Sequence, residues 1–321
     1  MLVCAFILKT QCIIILYSSA FYFTSRVAMY GYTPKGVDNN FKHYALYNAC
    51  ILDIEYEHNS KTDKKEPVKA TFHDNLSIMK GFATHVLYMG VFMSIFSPIL
   101  YEPYETEANG NEAGYDFAHL VDINLIRNNF VGALYFQITL STFTIALGVI
   151  ASVLYGVKTS GAMKNPVLES TSVSDFWGKR WNLIVHGALK RGVFKPVYKF
   201  TSTKHWAVLA TFLASGIMHE YLLCVVLASS PADASREVIY VAYGKNTAFF
   251  LWNAGIIILE FLVGGASIFQ WMKGTLPKPL ISFFIVCTGL PVAHWFIHPY
   301  SKTGFFDDII IGFPIIREIS D

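Results

Sequence analysis

The stretch WAVLATFLASGIMHEYLLCVVLA, Trp206 to Ala228, sets a histidine and a glutamate, His219 and Glu220, in the middle of an otherwise uncharged run. About 20 predominantly apolar residues are enough to cross a bilayer as a helix, so this stretch reads as a membrane span. Ionisable groups at membrane depth cost free energy and face a protein interior or a watery cavity, which makes His219 a functional candidate by position alone.

The rest of the chain agrees with that reading. Of its 321 residues 53% are hydrophobic, 16% aromatic and only 15% charged, too apolar a composition for an ordinary soluble globule. The net charge of +2 gives no electrostatic pointer to a polyanion, so nucleic acid is not expected as a partner. The five cysteines, Cys4, Cys12, Cys50, Cys224 and Cys287, are scattered, four of them in apolar runs. No CxxC or Cys/His metal spacing occurs, and no metal is expected.

Six segments are long and apolar enough, or nearly so, to span: Leu2 to Phe23, Gly81 to Tyr101, Phe130 to Tyr155, Trp206 to Ala228, Thr247 to Trp271 and Leu280 to Ile297. The expected fold is therefore an all-α polytopic integral membrane protein, a single domain over 1–321 with six to eight transmembrane helices. The first segment lacks a basic n-region and carries Lys9, which favours a retained span over a signal peptide. Its abrupt start also suits a longer native chain.

Charge placement gives an orientation. Gly156 to His205 carries Lys158, Lys164, Lys179, Arg180, Lys190, Arg191, Lys195, Lys199 and Lys204 against Glu169 and Asp175, and is expected to face the cytosol. Glu102 to Asn129 carries six acids with Arg127 as its only base, and is expected on the other side. One tripeptide cuts across this: Asn75-Leu76-Ser77 is a glycosylation sequon on the side assigned to the cytosol. Thr24 to Lys80 otherwise reads as a solvated connector without a motif.

Chemistry concentrates between Ser174 and His186, SDFWGKRWNLIVH. Ser174 suits an N-cap, Asp175 the positive end of a helix dipole, and Gly192 a helix stop, so the spacing predicts a helix of about four turns. Trp177, Trp181, Ile184 and Ala188 would share one face, with Lys179, Arg180, Lys190 and Arg191 as polar outliers, the pattern of an amphipathic helix at a membrane interface. Asn182 and His186, four apart, would be neighbours. An interfacial anchor with a polar fringe explains this pattern alone; a helix delivering Asn182 to the cavity of His219 explains it together with the following span.

The string Asp175-Phe176-Trp177-x-x-Arg180-Trp181-Asn182, followed by Ser215-Gly216-x-x-His219-Glu220, resembles the plant-type wax synthase branch of the membrane-bound O-acyltransferases. In related diacylglycerol and sterol acyltransferases a Phe-Tyr-x-Asp-Trp-Trp-Asn motif similarly precedes a His-Glu-Tyr, matched here by His219-Glu220-Tyr221. The resemblance covers Ser172 to Pro299, including Gly289-Leu290-Pro291, and is vague before Gly156. It implies transfer of a fatty acyl group from long-chain acyl-CoA to a lipid alcohol, with no metal or organic cofactor, in the endoplasmic reticulum membrane, where a homo-oligomer is compatible with the family.

On that footing His219 is expected as general base, a neutral imidazole being the natural group for deprotonating an alcohol. Asn182 is expected to stabilise the oxyanion or orient the thioester without bringing net charge into the membrane. Trp177 and Trp181 would shape the pocket. Arg180, with Lys179 and Asp175 beside it, would lie on the approach of the CoA phosphates. Glu220 lies about 100 degrees around the helix from His219 and is expected to bond another helix rather than orient this imidazole; Glu220, His186 and Ser215 are the supporting candidates, Ser215 within a small-residue run, Ala210, Ala214, Ser215 and Gly216, that permits close packing or a tunnel. Glu260 is expected in an interhelical hydrogen bond, His294 and His298 at the end of the last span, and Cys224 as an inert thiol. Rival readings are a sterol or diacylglycerol acceptor, a transporter in which His219, Glu220 and Glu260 form a relay, and a scaffold without activity.

Overall fold

The computed structural model describes residues 46, 50, 52–61, 63–105, 123–228 and 243–301. The expected span Leu2 to Phe23, the acids Glu107, Glu112, Asp116 and Asp122, and the tail after Ser301 lie outside the described residues.

A hairpin opens the described chain: β1 (Tyr56–Asn59) pairs antiparallel with β2 (Lys64–Pro67), Tyr56 opposite Pro67. Single bridges join Ile54 to Thr159 and Lys69 to Val157, so this small sheet closes over the residues that follow the second long helix. The stretch expected as a featureless connector, in a chain expected to be all-α, thus contains β-structure. Cys50, Leu52 and Ile54 supply the reason, for they are buried with Ala151, Val157 and Ala162 and give the hairpin a core to sit on.

The helices follow: α1 (Phe72–Glu105), α2 (Ile123–Tyr155), α3 (Pro166–Glu169), α4 (Val173–Asp175), α5 (Leu183–Leu189), α6 (Lys195–Thr201), α7 (Lys204–Ala228), α8 (Lys245–Val263), α9 (Ser267–Thr275), α10 (Lys278–Gly289) and α11 (His294–Ser301). Among the described residues three helices are long and apolar enough to cross a membrane: Ile123–Tyr155, Lys204–Cys224 and Lys245–Val263. The 34-residue α1 contains the expected span Gly81 to Tyr101. Thr71 and Asp74 start it with a capping box, Asp74 N–H bonding Thr71 Oγ1 and Thr71 N–H bonding Asp74 Oδ2.

Three expected helices are broken. Thr247 to Trp271 is not one span: α8 stops at Val263, and Gly264, Gly265 and an extended Ala266 lead into the separate α9. Leu280 to Ile297 is not continuous: α10 stops at Gly289, a 3₁₀ turn runs over Leu290–Val292, and α11 begins at His294. Pro291 has no N–H to give, so the α ladder gives way there. His294 and His298, expected at an interface, are buried, 3% and 4% exposed.

The third break matters more. Instead of four regular turns from Ser174, the chain makes the short α4 and a π-type turn over Phe176–Arg180. It stops at Trp181 and Asn182 and only then enters α5. The N-cap is Ser172, whose Oγ accepts from Asp175 N–H at 2.9 Å. Gly192 terminates nothing, since a second π-type turn over Lys190–Phe194 carries the chain into α6, which ends at left-handed Ser202. The expected single face is therefore split: Trp177 packs on the cluster around Tyr135, Phe249 and Phe250, while Ile184 packs with Cys50 and Leu52.

Candidate active site

The break at Asn182 is built from local preferences. Asn182 adopts φ 39°, ψ 64°, a left-handed conformation that Asn tolerates better than most residues. Its Oδ1 accepts from Val185 N–H at 3.4 Å, capping α5, and its own N–H meets Met163 Sδ at 3.1 Å. Two ladder-like bonds pin the flanks, Lys164 N–H to Arg180 O at 3.0 Å and Leu183 N–H to Ala162 O at 2.8 Å. Asn182 is thus held at the end of a broken helix with its side chain on the wall of a cavity.

That cavity, about 290 Å³, is lined on several sides by aromatic residues: Phe176, Trp177 and Trp181 from the broken segment, Phe249 and Phe250 from α8, Phe296 from α11. Its size is at the lower edge of small-molecule sites. Few polar side chains reach it, chiefly Asn182, His219, Asn253 and Thr288. His219 is half-buried and lies on the cavity wall, stacked on Phe250 with centroids 4.8 Å apart and edge-on to Phe296 at 5.0 Å. Phe176 stacks on Trp181 at 5.4 Å, and Trp177 meets Trp181 edge-on at 5.9 Å. Asn182, Trp177, Trp181 and His219, chosen from sequence, therefore come together around one apolar space.

The other candidates lie elsewhere. Glu220 turns away from the imidazole and accepts from Thr247 N–H at 2.9 Å, satisfying a free donor in the first turn of α8. Ser215 and Gly216 are buried in the packing seam between α7 and α8; a Cβ at Gly216 would stand 2.7 Å from Thr247 Cα. Their small size serves helix approach, and neither lines the cavity.

Arg180 is engaged within its own neighbourhood. Its Nε donates to Asp175 Oδ2 at 2.8 Å and one terminal nitrogen donates to Glu169 at 3.0 Å and to Lys164 O at 3.1 Å. Burial works against ionised Asp175, but Arg180 and the N–H and O–H of Thr171 outweigh it and hold the carboxyl below its usual range. Asp175 is so placed as a partner of Arg180, away from the cavity lining. Lys179 is exposed. His186 sits over Gly178, off the cavity; burial lowers its pKa, and Lys190 and Arg191 lower it further.

Asn253, overlooked in the sequence, is 3% exposed and on the cavity wall. It carried the same signal as His219, a polar side chain inside an apolar span, in Trp252-Asn253-Ala254-Gly255. Among the described residues no group of three or more His, Cys, Asp or Glu is gathered as metal ligands would be.

Comparison with known proteins gives a consistent picture. Residues 161–252, which include Asn182, His219 and the first turns of α8, match the model of the membrane bound O-acyl transferase family. Probable long-chain-alcohol O-fatty-acyltransferase 2 of Arabidopsis thaliana is 29% identical over 196 residues, 55% of this chain and 52% of that protein. The long-chain-alcohol O-fatty-acyltransferase of Simmondsia chinensis is 35% identical over 112 residues, 32% of this chain and 31% of that one. Acyl-CoA--sterol O-acyltransferase 1 of Arabidopsis thaliana is 42% identical over 59 residues, 16% of this chain and 17% of that one. The alignments with probable long-chain-alcohol O-fatty-acyltransferases 2 and 9 of Arabidopsis thaliana span 52% and 59% of those proteins' lengths, so the chain spans about half the length of the curated relatives it matches.

Proposed function

We propose, for a chain whose residues 161–252 match the model of the membrane bound O-acyl transferase family, that it moves a fatty acyl group from acyl-CoA to the hydroxyl of a long-chain alcohol, giving a wax ester. The observation that carries this reading is the meeting of Asn182 and His219 on one apolar cavity. The thioester supplies the activation. What is left for the protein is to remove the proton of the alcohol and to stabilise the tetrahedral oxyanion that forms when its oxygen attacks the thioester carbon.

His219 takes the alcohol's proton and returns it to the departing CoA thiolate, so the step needs no metal or organic cofactor. The Asn182 amide donates to the oxyanion, and its place at a pinned chain break fixes that donor before the reaction begins. The aromatic walls exclude water, which would otherwise compete as acceptor. Lys179, exposed beside the Arg180 cluster, is a basic group placed to meet the CoA phosphates. The reading places the enzyme in the endoplasmic reticulum membrane with Gly156 to His205 in the cytosol, where acyl-CoA arrives. A sterol is the second acceptor to test, favoured by the short matching segment of the sterol acyltransferase relative.

The test is expression in a host without neutral-lipid synthesis, fed fatty alcohols, sterols and diacylglycerol. Wild type should form wax ester. His219→Ala should lose on the order of 10²–10⁴-fold in rate. Asn182→Gly, which keeps the left-handed backbone and removes the amide, should lose on the order of 10²–10³-fold while folding normally. Wild-type rates in His219→Ala would remove the proposed base.

A further inference from the structure

Two polar side chains inside α8, Asn253 and Glu260, have no part in the proposed proton transfer, yet both grip the segment that carries Asn182. Asn253 Oδ1 accepts from Trp177 Nε1–H at 3.2 Å, and its Nδ2 donates to Phe249 O at 2.8 Å, one turn back in its own helix. Glu260 uses both carboxylate oxygens on the start of the segment, accepting from Val173 N–H at 3.0 Å and Ser174 N–H at 2.8 Å. These are donors that the first turn of a helix leaves free. The two residues are seven apart, two helical turns, and so lie on nearly the same face of α8. Between them Ala254 and Ile257 are buried against Val173 and Val208. One stripe of α8 therefore holds the segment by its backbone at residue 173 and by an indole ring at residue 177.

The segment needs such support. A π-type turn over Phe176–Arg180 followed by a left-handed non-glycine residue is not a shape that local hydrogen bonding favours, and strained conformations persist only where the surroundings impose them. We propose that Asn253 and Glu260 are positioning residues: they clamp residues 173–177 onto α8 and thereby set where Asn182 stands relative to His219. This rests on the reading of Asn182 and His219 as the reacting pair.

Asn253→Leu keeps the size and removes both bonds; Trp177→Phe keeps a ring and removes the donor. Each should lower kcat per folded molecule by about tenfold while KM for acyl-CoA stays within about twofold, the pattern of misplacement rather than lost binding. The double variant should be no slower than the slower single variant, because both variants remove the same bond, Trp177 Nε1–H to Asn253 Oδ1. Glu260→Gln, which retains one of the two acceptor oxygens, should lose less of the rate than Glu260→Leu, which retains neither. Additive losses in the double variant, or a raised KM at unchanged kcat, would overturn the clamp. A readout free of activity runs beside it: in protein carrying 5-fluorotryptophan, the Trp181 fluorine resonance should shift or broaden in Asn253→Leu, and an unchanged resonance also overturns the inference. If wild type forms no ester from any acceptor, the acyltransfer reading falls, and the fluorine comparison decides the clamp by itself.

Discussion

His186, off the cavity wall, shows how a side chain near the site sets a pH dependence of stability. Burial and the cations Lys190 and Arg191 pull its pKa below the ordinary value of 6.5, so the folded chain holds it neutral where the unfolded chain would bind a proton. The sign follows from that. The stability tied to neutral His186 is fully present above 6.5 and is lost as pH falls from there through the folded value. Asp175 and Glu169 are depressed in the folded state, so their contributions are lost only at more acidic pH, below the carboxylate range. Wild type should therefore lose thermal stability between about pH 7.5 and about pH 5.5 more steeply than His186→Gln, measured as apparent Tm in matched detergent. Equal slopes would mean that His186 is protonated alike in the two states. Asn182 makes the complementary point about legibility. Its residue type and its place before a His-Glu span could be read from sequence, whereas its left-handed backbone could not, because that depends on Met163 and Ala162 arriving from another part of the chain.

At the scale of elements, small residues decide how closely helices approach, and two glycines do so in different ways. At Gly216 an added Cβ would stand 2.7 Å from Thr247 Cα, which is backbone and cannot step aside without moving α8. Gly216→Ala should cost on the order of 1–3 kcal/mol, read as a lower apparent Tm, and should also loosen the bond from Thr247 N–H to Glu220. At Gly132 the obstacle is Ile297 Cδ1 at 2.6 Å, the tip of a flexible side chain that also lines the cavity. Gly132→Ala should therefore keep the fold, press Ile297 into the cavity and shift product toward shorter acyl or alcohol chains in a competition assay. If chain selectivity stays as in wild type, the Ile297 end of the cavity does not hold the alkyl chain. The long apolar helices α2, α7 and α8 were legible because hydropathy reports them directly. The breaks at Asn182 and Pro291 were less so, and the hairpin at 56–67 was missed because charged residues such as Lys64, Lys65 and Glu66 hide strand alternation.

For the whole molecule the charges give a definite expectation of the side of the membrane that the broken segment faces. Gly156 to His205 carries nine lysines and arginines against two acids, and positive loops stay with the cytosol. The hairpin is tied to the same end: Lys158 pairs with Asp74 at 2.8 Å, and Lys158 N–H bonds Val68 O. Asn75 belongs to that end as well, with its Oδ1 accepting from Ser152 Oγ inside helical packing, so the sequon is engaged rather than displayed. Lys199, exposed on α6, is the residue to probe. With the five native cysteines replaced by alanine, Lys199→Cys in sealed microsomes should react with a membrane-impermeant maleimide added outside, and endoglycosidase should leave the mobility of the chain unchanged. Protection of that site until the membrane is opened, together with a glycan on Asn75, would reverse the orientation. The thioester would then have to reach the cavity from the lumen, where a basic segment would have no cytosolic acyl-CoA to meet.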